Sequence, residues 1–303
     1  MSIINNKHER AYNDYYESVT ERIRSSERFK LGLFIGPAMA IMSFFLIFPL
    51  LYTILLSFST EFPMSFEFTL ENYATIANTD AYIAIIYRTA VLTLQITVVT
   101  VVVGYAMAYA LAMFTKRAKI ALLGIIIPFW VNYLVRNWSI FAIFQNGGAF
   151  DTIMNVIPFI TSTPDILFTR AAVLLGLGYS FLPVAILPMY ASIANMDKSL
   201  INAAKDLGAG PIKTFVTVTL PQTLSGVYVG ILLVMIPSFG AFVTPAMLGG
   251  SDETMIGTLI ELQYMTVFDL PMGSAIAVFT SVIALSILVI TTKMSGVPLV
   301  DDE

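Results

Sequence analysis

The side chains that perform acid–base, nucleophilic or metal chemistry are almost absent from this sequence of 303 residues. It has no cysteine, which excludes thiolate nucleophiles, disulfides and zinc–thiolate sites. The only histidine, His8, lies in a polar N-terminal segment, where we interpret it as a solvated tail residue. The sequence therefore lacks the histidines that a histidine-based metal site or a Ser-His-Asp hydrolase would need. We expect no catalytic residue, no metal and no cofactor bound by this chain, and we do not expect an enzyme.

The composition indicates an integral membrane protein. Hydrophobic residues make up 57% of the chain and charged residues only 12%, and the mean hydropathy is +0.81. The formal net charge of −4 gives no indication of a nucleic-acid partner. Most of the surface of this chain is therefore expected to face membrane lipid.

Six segments are long and apolar enough to cross a bilayer, which requires about 20 residues per helix. Five of them carry no charge: residues 31–60, 89–115, 171–196, 214–251 and 270–292. The sixth, residues 120–145, is interrupted by Arg136 alone. The sequence therefore predicts an all-α integral membrane fold of six transmembrane helices.

The distribution of lysine and arginine predicts the orientation, because positive juxtamembrane residues stay in the cytoplasm. All but Arg88, Arg136 and Arg170 fall in segments that six alternating helices would place on one side. Both termini are therefore predicted to be cytoplasmic. The predicted organisation is a cytoplasmic tail, a six-span domain and a second cytoplasmic tail, at residues 1–30, 31–294 and 295–303.

A polar stretch between the fourth and fifth spans, NAAKDLGAGPIKTFVTVTLP at residues 202–221, interrupts the apolar chain. In the overlapping segment at residues 197–210, apolar residues recur at helical spacing, at Leu200, Ala203, Ala204 and Leu207. Gly208 stands where a helix would end in a left-handed conformation, and Pro211 stands where a new helix could begin. From these signals alone, a docking element for a soluble partner and a plain amphipathic loop are both open interpretations.

This stretch resembles the cytoplasmic coupling motif of bacterial ABC importer permeases. Ala203 and Ala204 match its alanines, Gly208 its glycine and Val218 its aliphatic position, and LP at 220–221 closes the motif. Asn202 replaces the usual glutamate of the motif. The run AAKDLGA is similar to that of polyamine permeases, as are the segments at residues 128–151, 240–250 and 254–260.

The resemblance implies a coupling helix that docks on an ATP-binding subunit. It assigns this role to Asn202, Ala203, Ala204, Asp206, Gly208 and Ala209. The implied partners are an ATP-binding cassette ATPase dimer, a second permease of similar fold and an extracytoplasmic substrate-binding protein. The sequence contains no G-x-x-x-x-G-K-[ST] motif, so ATP is expected to bind to the partner subunits.

The cargo that the resemblance implies is a polyamine, spermidine or putrescine. Relatives specific for polyamines often have an acid near the FVTPAMLGG segment, whereas Ala241, Thr244 and Ala246 are uncharged here. An opine, a phosphonate or an amino-acid derivative therefore stays open as the cargo.

Two features predict a transport pathway. The fifth span contains glycines and prolines between residues 237 and 250, including Pro237, two residues before Phe239. Helix breaks at membrane depth persist where they face protein or water. Glycine-mediated helix packing is the alternative interpretation. Arg136 is a costly charge inside a span, expected to share a helical face with Asn132 while Trp138 points elsewhere. An outward snorkel or a structural ion pair is the alternative for Arg136.

Acids on the predicted extracytoplasmic side could concentrate a cationic cargo. They are Glu61, Glu67, Glu71, Asp80, Asp151, Asp165, Asp252, Glu253, Glu261 and Asp269. Most are interpreted as solvated loop charges or contacts to a binding protein. Asp151 and Glu261 are the two predicted to contact cargo.

Two other classes of protein remain open as less favoured alternatives. An ion-coupled secondary transporter would normally use buried Asp, Glu or His, and the six spans contain almost no ionisable group apart from Arg136. A membrane-embedded enzyme would need paired carboxylates, a metal cluster or an activated nucleophile within a span, and the sequence offers none.

Overall fold

The computed structural model describes Tyr16 and residues 34–62, 68–156 and 165–295. Apart from Tyr16 and Ser295, the two predicted tails lie outside the described residues. By the density of its internal contacts, the chain divides into two compact units, residues 1–55 and 56–303.

Helix α1, Phe34–Ser57, supplies nearly all of the described part of the first unit. Aromatic side chains one turn apart stack along it, with ring centroids 5.4 Å apart for Phe44 and Phe48 and 6.4 Å apart for Phe48 and Tyr52. These rings are exposed. A helix that is apolar on nearly all sides and long enough to cross the bilayer suits a lipid environment.

The second unit is helical throughout its described residues. In chain order its α-helices are α2 (Glu71–Asn78), α3 (Asp80–Phe114), α4 (Ala118–Ile126), α5 (Tyr133–Phe144), α6 (Ala149–Asn155), α7 (Arg170–Ala194), α8 (Lys198–Asp206), α9 (Pro211–Thr214), α10 (Leu220–Phe239), α11 (Val243–Leu248), α12 (Ile256–Leu262) and α13 (Leu270–Ser295). Two 3₁₀ turns, Ile127–Trp130 and Ser251–Glu253, and two π turns, Phe215–Thr219 and Gln263–Val267, connect them.

The predicted spans are recovered as helices, with one correction. Five helices have the length and hydropathy to cross a membrane: Phe34–Ser57, Asp80–Phe114, Arg170–Ala194, Pro211–Phe239 and Leu270–Lys293. The third predicted span, residues 120–145, is not one helix. It is a pair, Ala118–Trp130 and Tyr133–Asn155, bent by 91°, and it makes the sixth span if the pair is counted as one.

The bend in the third span has a local cause in the backbone. Pro128 lies in the 3₁₀ turn that closes α4, and Val131 is extended, with φ −68° and ψ 136°. Asn132 then starts a new helix as the N-cap of α5, where its side-chain oxygen accepts from the Leu134 amide at 2.8 Å. The search for uncharged runs detected only the charge of Arg136, because it measures composition and not backbone direction.

The predicted interruption of the fifth span is confirmed. Helix α10 ends at Phe239, Gly240 caps it, and the short helix α11 follows. Pro237 lies inside α10, so the helix continues for two residues beyond the proline.

The core of the second unit forms where α3, α7 and α10 pack against one another. Its fully buried side chains include Leu92, Ile96, Leu177, Ile186 and Met189. Small residues allow the helices to approach closely, as glycine does in membrane bundles.

Two glycines of the fifth span serve helix packing, which was the alternative interpretation for that region. A Cβ atom at Gly226 would lie 2.6 Å from Ser192 Cβ and 2.7 Å from the Pro188 carbonyl oxygen. A Cβ at Gly230 would overlap the Met189 side chain. The glycines of the fifth span thus divide into a packing pair within α10 and a second set at the break.

We expect Gly226→Ala to destabilise the protein by roughly 1–3 kcal/mol, because the added methyl group meets backbone that cannot move aside. Gly124→Ala is the matched control, since Gly124 lies within α4 and a Cβ there has nothing within 4 Å. The control should be neutral or stabilising by up to about 1 kcal/mol. Thermal unfolding of both variants in detergent measures the difference, and equal midpoints would contradict this account of the core.

Candidate functional site

The loop between α7 and α10 begins with a capped helix. Asp197 is the N-cap of α8, and its Oδ1 accepts from the Ser199 amide at 2.9 Å. Hydrogen bonds from the hydroxyl and the amide of Ser199 hold the pKa of the Asp197 carboxyl below its usual value. An ionised aspartate at this position also complements the positive end of the helix dipole. The first turn of α8 is therefore fixed by its own sequence.

Gly208 ends α8 in the left-handed conformation that the sequence predicts, with φ +80°. The Ala209 amide donates to the Ala204 carbonyl at 3.0 Å, and the Gly208 amide donates to the Lys205 carbonyl at 2.9 Å. This pair of bonds is the Schellman motif, which satisfies carbonyls that the end of a helix would otherwise leave free. It reverses the chain immediately after α8 with a fixed geometry.

The chain then enters the membrane-spanning helix through α9 and a π turn. Pro211 occupies the first turn of α9, as predicted, and the Thr214 amide donates to the Gly210 carbonyl at 2.9 Å. In the π turn that follows, the Leu220 amide donates to Phe215, five residues back. Helix, glycine turn and second helix together form a short rigid hairpin.

The tip of this hairpin exposes two large apolar side chains, one at the end of α8 and one at the start of the fifth span. Leu207 is 88% exposed and Ile212 is 79% exposed. Of the residues to which the resemblance assigns coupling, Asn202, Ala203, Asp206 and Gly208 are exposed, whereas Ala204 and Ala209 are half-buried. An apolar tip beside small residues has the character of a contact surface for another protein.

An aromatic cluster joins the base of the hairpin to the second span. The Phe215 ring packs edge-to-face against Tyr105 and Tyr109 of α3, with centroids 5.9 Å and 5.5 Å apart. The Tyr105 hydroxyl lies 2.8 Å from Thr223 Oγ1, whose own hydrogen is directed to the Thr219 carbonyl at 2.9 Å. Tyr105 must therefore donate. A displacement of the hairpin would therefore move both α3 and α10.

A second buried network joins the two interrupted spans, and the sequence analysis did not find it. Thr244 Oγ1 donates to Asn137 Oδ1 at 2.7 Å, so the Tyr133 hydroxyl, 2.6 Å from the same oxygen, must donate to Thr244. Asn137 Nδ2 completes the ring by donating to the Tyr133 carbonyl at 2.9 Å. Asn137 and Thr244 are fully buried, and a Cβ at Gly176 would clash with Thr244. The only available sequence signal was an amide and a hydroxyl within apolar spans.

Arg136 lies beside this network. Its guanidinium carbon is 4.5 Å from the centre of the Phe129 ring and 5.6 Å from that of Tyr133. It also lines a cavity of about 500 Å³ together with Ser139 and Tyr179. Most of the remaining lining is apolar: Pro128, Val131, Ile140, Ile143, Phe144 and Leu175.

Of the other predicted pathway residues in this part of the chain, Asn132 and Trp138 belong to α5 with Arg136, and Asp151 lies on α6. Asn132 caps α5, so its side chain is used by the backbone and does not share a helical face with Arg136. Trp138 is exposed and packs edge-to-face with Phe141 at 5.6 Å. Asp151 accepts from the Gly147 amide at 2.9 Å.

The candidates on the fifth and sixth spans also separate. Glu261 is half-buried on α12, and Pro237 is exposed on α10. Phe239 is buried in a second apolar cluster with Ile256 and Met272. No group of three metal-ligating side chains occurs in the described part of the chain.

Comparison with known proteins identifies the family. The model of the "binding-protein-dependent transport system inner membrane component" family matches residues 100–294. The spermidine/putrescine transport system permease protein PotB of Escherichia coli K12 is 34% identical over 250 residues, or 81% of this chain and 90% of that protein. PotB of Haemophilus influenzae is 31% identical over 244 residues, or 79% and 85%.

The fold is also similar to that of a solved structure, a chain from a bacterial ABC transporter involved in the import of the acidic polysaccharide alginate. The TM-score is 0.71 at 14% sequence identity, with 92% of this chain and 98% of the other covered. This protein thus belongs to the family of inner membrane components of binding-protein-dependent transport systems. It is a multi-pass ABC importer permease similar to the polyamine permeases, as the resemblance of its sequence indicated.

The hydrogen-bond directions in the buried ring of Tyr133, Asn137 and Thr244 predict which substitution costs more stability. Thr244→Val leaves Asn137 Oδ1 and the Tyr133 hydroxyl without their partner, and a buried polar group left unsatisfied costs about 1–3 kcal/mol. Tyr133→Phe removes a single donor and leaves the bond between Thr244 and Asn137 intact, so it should cost roughly 0.5–1.5 kcal/mol.

Thermal unfolding of both variants and of the double variant measures this order. The double variant should cost less than the sum of the two single changes, because the two residues share one hydrogen bond. Additive effects would show that Tyr133 and Thr244 do not share a hydrogen bond, and a larger cost for Tyr133→Phe would contradict the directions assigned to the ring.

Proposed function

We propose that this chain is one of two membrane subunits of an ATP-driven importer that takes a polyamine from a binding protein into the cytoplasm. The observation that carries the proposal is the hairpin of α8 and α9, which is closed at Gly208 and exposes Leu207 and Ile212 at its tip. ATP binding and hydrolysis belong to separate ATPase subunits, and this chain holds no cofactor of its own.

The coupling role in this proposal falls on Asn202, Ala203, Ala204, Asp206, Gly208 and Ala209. A contact that transmits force must be rigid on the permease side, and the cap at Asp197 and the Schellman bonds make it so. The Phe215 cluster then joins the hairpin to α3 as well as α10. Closure of the ATPase pair would move two spans together.

The hairpin and both termini are cytoplasmic in this proposal, in line with the excess of lysine and arginine on that side. The organisation is a tail at residues 1–30, a six-span permease domain at 31–294 and a tail at 295–303. A second permease of similar fold completes the membrane pair, and a soluble binding protein delivers cargo to the opposite side.

The names of the PotB relatives support a spermidine or putrescine cargo. Arg136, Asn132 and Trp138 remain proposed pathway residues near the bend of the third span, with Pro237 and Phe239 at the end of α10. Asp151 and Glu261 are proposed contacts for a cationic cargo. The uncharged surroundings of Thr244 favour an opine, a phosphonate or an amino-acid derivative as the second candidate cargo.

Gly208 and Gly210 provide a matched test of the coupling hairpin. Gly208 has φ +80°, so Gly208→Ala forces a side chain into the left-handed region at a cost of roughly 1–2 kcal/mol. Gly210 has φ −69° and open space around its Cβ position, so Gly210→Ala changes little. We expect Gly208→Ala to reduce transport and Gly208→Val to abolish it. Both variants should still insert into the membrane.

The measurement is copurification of the ATPase with the tagged permease, together with uptake in cells. The wild type and Gly210→Ala should retain the ATPase and transport normally. Gly208→Val, or a change at Asp206, should lose uptake, whether or not the ATPase still copurifies. Normal uptake by Gly208→Val would remove the hairpin from the coupling mechanism, and a wild-type chain that purifies alone would favour an ion-coupled transporter.

The cargo is tested by uptake of radiolabelled spermidine in cells without their own polyamine systems. Spermidine uptake should depend on this chain and be competed by putrescine, and opines and amino acids should not compete. Competition by an opine or a phosphonate with no spermidine uptake would replace the polyamine assignment and leave the coupling hairpin untouched.

A further inference from the structure

Arg136 carries a charge that the described part of its own chain does not neutralise. Its Nε and Nη1 atoms are buried and have no hydrogen-bond acceptor. Arg170 provides a partial contrast, because its Nε donates to Gln95 Oε1 at 2.9 Å although its Nη2 is also buried without a partner. Arg136 therefore has aromatic rings where Arg170 has an acceptor.

The two rings near Arg136 compensate only partly. A guanidinium over Phe129 and Tyr133 gains a favourable electrostatic interaction with the ring faces. Arg136 is half-buried, but its two buried nitrogens lose their hydration at a cost larger than a cation–π contact can return, and such a charge is normally paired with an anion. The assembled protein is expected to supply one.

The span that carries Arg136 begins at a cationic segment, and the lipid headgroups on that side are too distant to supply the anion. Helix α4 and the 3₁₀ turn after it extend about 20 Å from the cationic segment at residues 116–119, taking rises of about 1.5 Å and 2.0 Å per residue. Arg136 follows one turn later, beyond the bend. A bilayer core about 30 Å thick leaves only about 10 Å to the opposite headgroups, so a crosslink from the cavity wall is needed to tell a partner's carboxylate from a lipid phosphate.

The cavity beside Arg136 has the character of a protein interface. Its lining is apolar except for Arg136, Ser139 and Tyr179. Exposed apolar side chains continue around it, at Val131, Val135, Ile143 and Leu175. One cation within an apolar surface at membrane depth suits a complementary protein surface with one anion.

We propose that a carboxylate of the second permease subunit enters this cavity and forms a buried ion pair with Arg136. The inference rests on the proposed function for the existence of that subunit. A guanidinium and a carboxylate can form two parallel hydrogen bonds, which fix orientation as well as charge. A cationic cargo would be repelled by Arg136, so the anion is assigned to the partner and not to the cargo.

This ion pair would act on the break in the fifth span. The Arg136 side chain lies over Tyr133, and the Tyr133 hydroxyl donates to Thr244 at that break. A contact made by the second subunit at the cavity would therefore fix the Tyr133 ring, which holds Thr244. The ion pair would link subunit association to the position of α11.

Arg136→Met tests the pair, because methionine has a similar length and no charge. In the chain expressed without the second permease, the variant should be as stable as the wild type or more so, since an unpaired buried charge is removed. In the assembled transporter it should lower the unfolding midpoint and reduce recovery of the second permease about tenfold, since the partner's carboxylate is left unpaired. Arg170→Met is the control, and it should change the midpoint by the same amount in both forms.

A second variant keeps Arg136 and identifies the neighbouring molecule by crosslinking. The natural chain contains no cysteine, so Ser139→Cys places a single thiol in the cavity wall. A maleimide photo-crosslinker on that thiol should join this chain to the second permease in native membranes, and mass spectrometry should locate the attachment within a few residues of an Asp or Glu.

Three results would overturn the proposal. The first is an assembled transporter that Arg136→Met leaves unchanged or makes more stable. The second is an intact pair in which Arg136→Met changes only the KM for spermidine, which would place Arg136 on the cargo pathway and not at the contact between subunits. The third is a Ser139→Cys crosslink to lipid alone. Failure of the proposed function is separate, since the wild-type chain would then recover no second permease.

Discussion

Every backbone amide and carbonyl that a helix leaves free at membrane depth needs another partner, and this chain interrupts two of its spans there. Asn132 provides one partner as the cap of α5. The ring of Tyr133, Asn137 and Thr244 then ties α5 to the segment after Gly240, so each interruption holds the other. A single broken helix would have been a weak point in an apolar bundle. Two broken helices that share polar side chains make a defined structure.

The rest of the second unit can be understood as a rigid path between this buried ring and the hairpin of α8 and α9. Helix α10 carries the hairpin at one end and the break at the other, and α7 contacts both Gly226 and Thr244. The aromatic cluster at Phe215 brings α3 into the same body. Close glycine packing transmits displacement well, because a dense interior deforms little. An event at the hairpin and an event at the break are thus mechanically related by helices that pack without gaps.

The sequence predicted well what depends on local chemistry. Apolar length located the spans, Gly208 and Pro211 located the hairpin, and the cluster of glycines and prolines located the break after Phe239. The bend at Asn132 was missed because a count of charges does not record backbone direction. The pairing of Asn137 with Thr244 joins residues 107 positions apart in the chain, and neither residue is unusual in its own segment. Phe239 belongs to a packed cluster and not to an open surface, which only the tertiary contacts could show.

The π turn at Phe215–Thr219 has a consequence for how such a transporter can change over time. It holds one residue more than an α-helical turn, and one residue corresponds to about 100° of rotation about the helix axis. Loss of a single codon there would restore an ordinary helix and swing the whole hairpin about a quarter of a turn around α10. The angle at which the hairpin faces its partner is therefore set by helical phase. A lineage could redirect that angle in one deletion without altering any residue of the contact surface.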